Sequence, residues 1–198
     1  GQAAVALRTA KLFEEERKRG AELAGLANLN QTLGSVSDFQ DVFSRLVDSV
    51  KPLFDADIIG CLLYDEEKRT LEGKMPFHGL PVQFVEIYRA AIPQNSPAET
   101  LLASQPAVVT VNAMTDEHWR TLGLADAATA ASLRDIALVP LVSSGRLLGY
   151  FQVGHHTHGV AAFSEDEVRL MNIVANQAAA IIENLLLVQQ ARARAQRA

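Results

Sequence analysis

The stretch that decides the fold is DIALVPLVSSGRLLGYFQVG, residues 135–154. Two runs rich in branched aliphatic and aromatic residues flank Ser143, Ser144 and Gly145, which are residue types that tight turns favour. The pattern predicts two antiparallel strands joined by a hairpin. Pro140 lies inside the first run, and because proline has no backbone N–H, we expect it where the sheet does not need that donor.

The segment after this hairpin, FSEDEVRLMNIVANQAAAIIENLLL at 163–187, predicts a helix with two apolar stripes. Ser164 and Glu167 have the spacing of a capping box that begins the helix. One stripe is needed for the core of the domain, so we expect the other to pack against a second helix as in a coiled coil; a fully buried core helix is the alternative. The first stripe consists of Leu170, Ile173, Gln177, Ala180, Asn184 and Leu187, and the second, predicted to be the dimer interface, of Met171, Val174, Ala178, Ile181, Leu185 and Val188.

Working towards the N-terminus, runs of strands joined by hairpins with helices at both ends predict an α+β domain around an antiparallel sheet. We divide the chain into an N-terminal signalling or linker helix at 1–34, the domain at 35–187 and a C-terminal coiled-coil extension at 188–198. The other predicted elements are a helix from Ser37 to about Pro52, strands over 57–64 and 70–77, a helix over 81–92, a helix opened by Ser96 and Pro97, a strand over 107–111 and a helix-and-loop region over 114–132.

Composition and charge limit the function classes. The 198 residues are 48% hydrophobic and 21% charged, as in an ordinary globular domain, and the net charge of −5 leaves no basic surface for nucleic acid. Cys61 is the only cysteine, which excludes an intrachain disulfide and is compatible with the cytoplasm. The sequence contains no uninterrupted apolar run of about 18 residues, which is the length that would predict a membrane-spanning helix. Because the chain starts at Gly1 and stops within a helical pattern, we expect a fragment of a longer protein.

Three segments together resemble the GAF domain, a small-molecule-binding module of signalling proteins. They are DFQDVFSRLVDSVKPLFDAD leading into IIGCLLYD, the hairpin IALVPLVSSGRLLGYFQVG, and the closing helix FSEDEVRLMNIVANQAAAIIEN. The resemblance implies a six-stranded antiparallel sheet with the terminal helices on one face and a ligand pocket on the other. It also implies a helical homodimer linked to an output domain, as in bacterial sensor histidine kinases or cyclic-dinucleotide enzymes.

The resemblance does not name a ligand or a cofactor, and both stay unknown. Ligands of this family lie near the end of the second strand, which is where Met75, Phe77 and His78 occur. Apolar side chains under the helical side of the sheet would complete the pocket, although ordinary core packing is the alternative. The predicted ligand-binding residues are therefore Met75, Phe77, His78, Tyr88, Met114 and Trp119.

Two further candidates carry less weight. His155, His156 and His158 follow the last strand, and we interpret them as a solvated loop rather than a metal site, because no nearby ligand completes a coordination set. Cys61 alternates with apolar neighbours and is expected in the core. Bilin-binding, methionine-sulfoxide-reducing and cyclic-nucleotide-binding members use cysteines or an Asn-Lys pair that have no counterpart here.

The leading hypothesis is a cytoplasmic sensor domain that converts pocket occupancy into a change in a helical dimer, without catalytic residues. On this hypothesis the Ala178→Glu variant would be monomeric. The second hypothesis is a ligand-free dimerisation spacer. The third, in which Cys61 or the histidines do chemistry, is disfavoured because the sequence contains no nucleophile elbow, P-loop, zinc-protease or kinase motif.

Overall fold

The domain is built on a six-stranded sheet in which neighbouring strands are antiparallel. A computed structural model of the protein describes residues 39–105, 107–156 and 163–197. The strands are β1 (Ile58–Asp65), β2 (Thr70–His78), β3 (Arg89–Ala91), β4 (Val108–Thr110), β5 (Leu133–Ser143) and β6 (Arg146–His156). Their order across the sheet is β3-β2-β1-β6-β5-β4, which confirms the predicted α+β class and places the two long hairpins side by side.

Helices cover both faces of this sheet, a long one and a medium one on one side and short ones on the other. The predicted helix at 1–34 lies outside the described residues. The helices are α1 (Phe39–Val50), followed by the 3-10 turn Lys51–Leu53, then α2 (Val82–Ile87), α3 (Pro97–Ser104), α4 (Glu117–Thr121), α5 (Ala125–Ala130) and α6 (Glu165–Arg197).

Alternation along the strands separates two hydrophobic cores. In β1, Ile59 and Cys61 point to one face while Ile58 and Leu62 point to the other, as the two-residue period of a strand requires. The near-face core joins the sheet to α1 and α6, and includes Val42, Phe43, Leu46, Phe151, Val153, Met171 and Val174. The far-face core lies between the sheet and α2 to α5, and includes Leu71, Phe77, Val85, Tyr88, Trp119, Leu138 and Tyr150.

The capping box at the start of α6 forms as predicted. The Ser164 N–H donates to Glu167 Oε1 at 3.1 Å, and the Glu167 N–H donates to Ser164 Oγ at 3.2 Å. These two bonds satisfy N–H groups that the first turn of a helix would otherwise leave without partners. The start of α6 is therefore fixed by local sequence.

The structure buries most of the α6 stripe that the sequence predicts as the dimer interface. Four of the predicted interface residues are buried in the near-face core of their own domain, so they offer no surface to a second chain: Met171, Val174, Ala178 and Leu185. Ile181 is half-buried against the same core, and Val188 is exposed. The other stripe is exposed at Ile173 (42%) and Leu187 (52%), although its first member, Leu170, is buried. The two stripes have the same spacing, so periodicity alone could not distinguish them.

The near-face core also explains the apolar character of α6. An 18-residue window of this helix has a mean hydropathy of 1.4, enough by length and composition alone for a membrane span. Leu170, Ala175 and Ile182 are buried against the sheet, so the core of the domain accounts for part of this apolar character.

One predicted helix is wrong in its second half. The segment predicted as a helix over 81–92 forms α2 and then turns into β3, whose residues pair with the first residues of β2. The break occurs at Tyr88, which is buried and whose carbonyl oxygen accepts a hydrogen bond from the Gly73 N–H at 2.8 Å. Pairing at the open edge of the sheet thus outweighs the local helical preference.

Candidate ligand site

Short, individually capped helices cover the far-face core. In α4, the Asp116 carboxylate accepts hydrogen bonds from the backbone N–H groups of His118 and Trp119, at 2.8 and 3.3 Å. The Trp119 carbonyl oxygen in turn accepts from the Leu124 N–H at 2.9 Å, at the start of α5. Asp at an N-cap is a sequence signal for such a start, and here it holds the indole of Trp119 over the sheet.

The structure brings together five of the six predicted ligand-binding residues. Phe77 and Tyr88 meet edge to face with ring centroids 6.0 Å apart, and the Phe77 ring lies against the backbone of Gly60. Met75 and Met114 are half-buried at the margin of the far-face core, and Trp119 is fully buried within it. That these residues share one face is now an observation, whereas their contact with a ligand stays a prediction.

His78 lies apart from this cluster. It directly follows Phe77 along β2, so its side chain points to the opposite side of the sheet, towards Asp48 and Lys51 at the end of α1. Partial burial and then the positive charge of Lys51 lower the pKa of His78 below its ordinary value, against the opposing effect of Asp48 and Asp57. His78 is therefore not part of the far-face core.

A hydrogen-bonded group that sequence reasoning missed lies at the centre of the far-face core. The Tyr88 hydroxyl donates to Gln152 Oε1 at 2.8 Å, and Gln152 is fully buried. Among the described residues, neither Gln152 Nε2 nor the Trp119 indole Nε1 has a hydrogen-bond partner. We call Tyr88, Trp119 and Gln152 the polar trio. The available signal was a lone glutamine within the apolar run YFQV of a central strand.

The polar trio is buried away from water, and this burial shifts the pKa of Tyr88. Burial raises the pKa of the Tyr88 hydroxyl, and the neighbouring Gln152 and Trp119 side chains offset this only in part. The Trp119 N–H is close enough to that hydroxyl to lower its pKa, although it does not meet the geometric criteria of a hydrogen bond. Buried donors without acceptors are costly, by about 1–3 kcal/mol each, so their presence in a core calls for an explanation.

The far-face core is closed in this conformation. Trp119 is 0% exposed and Tyr88 is 1% exposed, so no open path leads to the polar trio. A groove of about 360 Å³ lies elsewhere, beside the turn between β1 and β2, and contains none of the predicted site residues. Its lining consists of Leu63, Tyr64, Asp65, Glu66, Glu67, Glu72, Lys74 and Arg146.

The prediction of a solvated histidine loop is wrong for the two histidines that are described. His155 and His156 are the last residues of β6, and His155 is 4% exposed. His158 lies outside the described residues. Over 39–105, 107–156 and 163–197, no group of three His, Cys, Asp or Glu side chains is arranged to hold a metal ion.

Cys61 lies in the near-face core, as predicted, with 1% exposure. Burial raises the pKa of its thiol to about 12. Because the thiolate is the reactive form of cysteine, this side chain acts as a small hydrophobic residue.

Comparison with known proteins decides the family. A family model of the GAF domain matches residues 36–183. The chain belongs to the GAF domain family. A comparison with curated protein sequences gave no match.

Solved structures share the fold at low sequence identity. The GAF domain of a phosphoenolpyruvate-protein phosphotransferase from Acinetobacter has a TM-score of 0.66 at 17% identity, over 85% of this chain and 97% of the other. A domain assigned to a two-component sensor histidine kinase protein from Sinorhizobium meliloti gives 0.58 at 19% identity, over 79% and 99%. A free methionine-R-sulfoxide reductase from Neisseria meningitidis gives 0.60 at 19% identity, over 82% and 89%. At these identities the likeness concerns the GAF fold alone.

Proposed function

We propose that this GAF domain is a small-molecule-sensing regulatory module, with its ligand in the far-face core and its output through a helical dimer. The observation that carries the proposal is the polar trio. Trp119 and Gln152 each hold an N–H donor in the dry interior without an acceptor. Apolar residues of similar size would stabilise the core better, so we infer that the donors are retained for a ligand.

The chemistry of the polar trio defines the ligand class. The two unpartnered N–H donors would bind a ligand that has a hydrogen-bond acceptor, such as a carbonyl oxygen. The rings of Phe84 and Tyr88, whose centroids are 5.2 Å apart, favour a ligand with a flat or apolar ring system. Among the described residues the buried acidic and basic side chains are Asp135 and His155, which pair with each other, so no free buried charge awaits an ionic ligand. A neutral ligand also loses less hydration free energy on burial than an ion would. We therefore expect a compact, neutral, partly aromatic metabolite.

Transmission would run through β6. Gln152 contacts Tyr88 in the far-face core, while its neighbours Phe151 and Val153 pack into the near-face core beside α6. A ligand that displaces Gln152 would change how α6 packs on the sheet. The ligand can shift the equilibrium between two arrangements of the dimer only by the difference in its binding free energy for those arrangements.

For the dimer, we propose a parallel or antiparallel seam along the exposed stripe of α6. Ile173, Ala180 and Leu187 recur every seven residues and are exposed, and Gln177 and Asn184 fall between them. This is the spacing of a coiled coil in which polar positions fix the register. We further propose a cytoplasmic setting and an output domain such as a histidine kinase, for which the Sinorhizobium domain gives a precedent in its name.

We infer no catalytic activity. The thiol of Cys61, whose pKa burial raises to about 12, is a poor nucleophile in its present position. The Neisseria reductase has the same fold, but the proposal gives this chain a regulatory role.

The test uses Trp119, the only tryptophan of the chain, whose indole N–H gives a single resonance in a ¹H–¹⁵N spectrum. Neutral metabolites with a carbonyl acceptor are titrated against it. The expected result is a saturable shift with thermal stabilisation. It should be lost in Gln152→Leu and retained in Gln105→Leu, which makes the same chemical change at the end of α3.

A ligand-free spacer is the second candidate, favoured by the complete burial of Trp119 and Tyr88 under their own side-chain neighbours. A spacer would dimerise through α6 in the same way. It predicts that the metabolites leave both the indole resonance and the thermal stability unchanged.

A further inference from the structure

A buried ion pair lies at the end of β6, on the opposite strand end from the first hairpin turn. His155 Nδ1 is 2.7 Å from Asp135 Oδ2, and the two side chains are 5% and 2% exposed. The pairing register of β5 and β6 shifts between Leu133 and Ile136, so two residues of β5 face His155. Such a bulge re-aims a side chain, and here Asp135 comes to lie beside the imidazole.

The second ring nitrogen of His155 also faces an oxygen. Nε2 is 2.6 Å from the carbonyl oxygen of Asp55, in the connection between α1 and β1. A carboxylate and a backbone carbonyl can only accept hydrogen bonds. Only the doubly protonated imidazolium can donate to both a carboxylate and a carbonyl oxygen, so this geometry fits a charged histidine.

Contacts around His155 join three separate parts of the fold. The Asp57 N–H donates to the Gly154 carbonyl oxygen at 3.1 Å, and the His156 N–H donates to Asp57 Oδ2 at 3.2 Å. On its other side, the imidazole stacks on Phe163 with centroids 4.9 Å apart. Phe163 immediately precedes Ser164, the capping residue of α6. The ring thus connects the end of the sheet, the residues before β1 and the beginning of α6.

We propose that His155 is a proton-dependent clasp that fastens the α1–β1 connection and the start of α6 to the end of the sheet, and that loosens when the imidazole loses its proton. The neutral ring has one N–H. Its natural partner is the Asp135 carboxylate, which leaves the Nε2 lone pair facing the Asp55 carbonyl oxygen at a repulsive distance. In the neutral state the ring therefore no longer holds Asp55, and its stacking contact with Phe163 is weakened.

The charged groups around the ring favour the closed clasp. Burial by itself lowers the pKa of His155, but the hydrogen bond to Asp55, the hydrogen bond and charge of Asp135, and the charge of Asp57 together raise it above the ordinary value of 6.5. Asp135 is on β5 and Asp55 and Asp57 are on the connection before β1; the α6 side presents the uncharged Phe163 ring. A raised pKa means that the stabilisation is complete below the unfolded value and is lost as the pH rises through the folded value.

The clasp is tested on the whole 198-residue chain by long-range ¹H–¹⁵N spectra of labelled histidine, titrated from about pH 5.5 to about pH 9. The titration midpoint of His155 should lie above the ordinary value of 6.5, with both ring nitrogens protonated below that midpoint. Amide exchange at Asp57 and Glu167, whose N–H groups donate to Gly154 and Ser164, should rise several-fold as the proton is lost, after correction for the intrinsic effect of pH. A midpoint at or below 6.5 would overturn the proposal, and so would proton loss without faster exchange.

Variants separate a clasp from a merely structural histidine. Asp135→Asn keeps the shape but removes the charge, and should lower the pH midpoint of His155 by about 1–3 units. Asp126→Asn makes the same change on the exposed face of α5 and should leave the midpoint unchanged. His155→Gln should flatten the alkaline loss of stability that the clasp predicts for the wild type, whereas His156→Gln should retain it. If His155→Gln does not fold, the wild-type titration still decides.

Discussion

Gln152 is the residue on which the functional proposal depends. It lies in the central strand β6, pairs with Tyr88 and leaves its Nε2 without a partner among the described residues. The two residues are 64 positions apart in the chain, so no local pattern could have predicted that they meet. Phe77 and Trp119, by contrast, are large apolar residues whose burial the sequence does predict.

A double-mutant cycle tests the polar pair. Tyr88→Phe should destabilise the fold by about 1–3 kcal/mol, because it leaves Gln152 Oε1 without its donor. Gln152→Leu should cost less, because it strands the Tyr88 hydroxyl but also removes the unpartnered Nε2. The double variant should be at least as stable as the wild type, because an apolar pair needs no partners. Urea unfolding measures all four proteins. A Tyr88→Phe change without cost, or a double change costing the full sum of the single changes, would show that the hydrogen bond does not couple the two residues.

At the scale of elements, the predictions that rest on local turn and capping signals are confirmed, whereas the features set by tertiary contacts were not predicted. The hairpins and the capping box of α6 were predictable because their turn and cap residues act within a few positions. The end of α2 and the start of β3 were not, because pairing with β2 decides them. The inward stripe of α6 also needed the tertiary structure, since both stripes have a helical period.

Two alanines on α6 test the seam. Ala180 is exposed, so Ala180→Glu should keep the fold and give monomers, because like charges would face each other across the seam. Ala178 is 1% exposed in the near-face core, so Ala178→Glu should unfold the domain rather than yield folded monomers. This corrects the expectation based on sequence. Light scattering gives the mass and circular dichroism gives the fold.

The outcomes of this pair are distinct. A folded Ala180→Glu dimer would exclude the exposed stripe as the seam. A folded, monomeric Ala178→Glu protein would instead restore the stripe that the sequence predicted.

At the scale of the whole molecule, the sheet separates two hydrophobic cores. The far-face core holds the polar trio under short helices, and the near-face core holds α1 and α6. The class and the pairing within the two long hairpins could be predicted, because strand alternation and hairpin turns are encoded locally. The pairing of β1 with β6 joins segments far apart in the chain and could not. The closure of the far face could not, because it depends on how α2 to α5 pack over Trp119.

Sensing requires that this cover opens, because Trp119 is 0% exposed and no ligand can reach the polar trio otherwise. Native-state hydrogen exchange of the single indole N–H measures that opening directly, with the amides of β1 and β6 as the reference for global unfolding. We expect the indole to exchange through a local opening, at least about tenfold more often than the reference, or about 1.4 kcal/mol below it, and with little dependence on denaturant. Exchange of the indole at the same free energy and denaturant dependence as the central strands would contradict ligand sensing and favour a closed spacer.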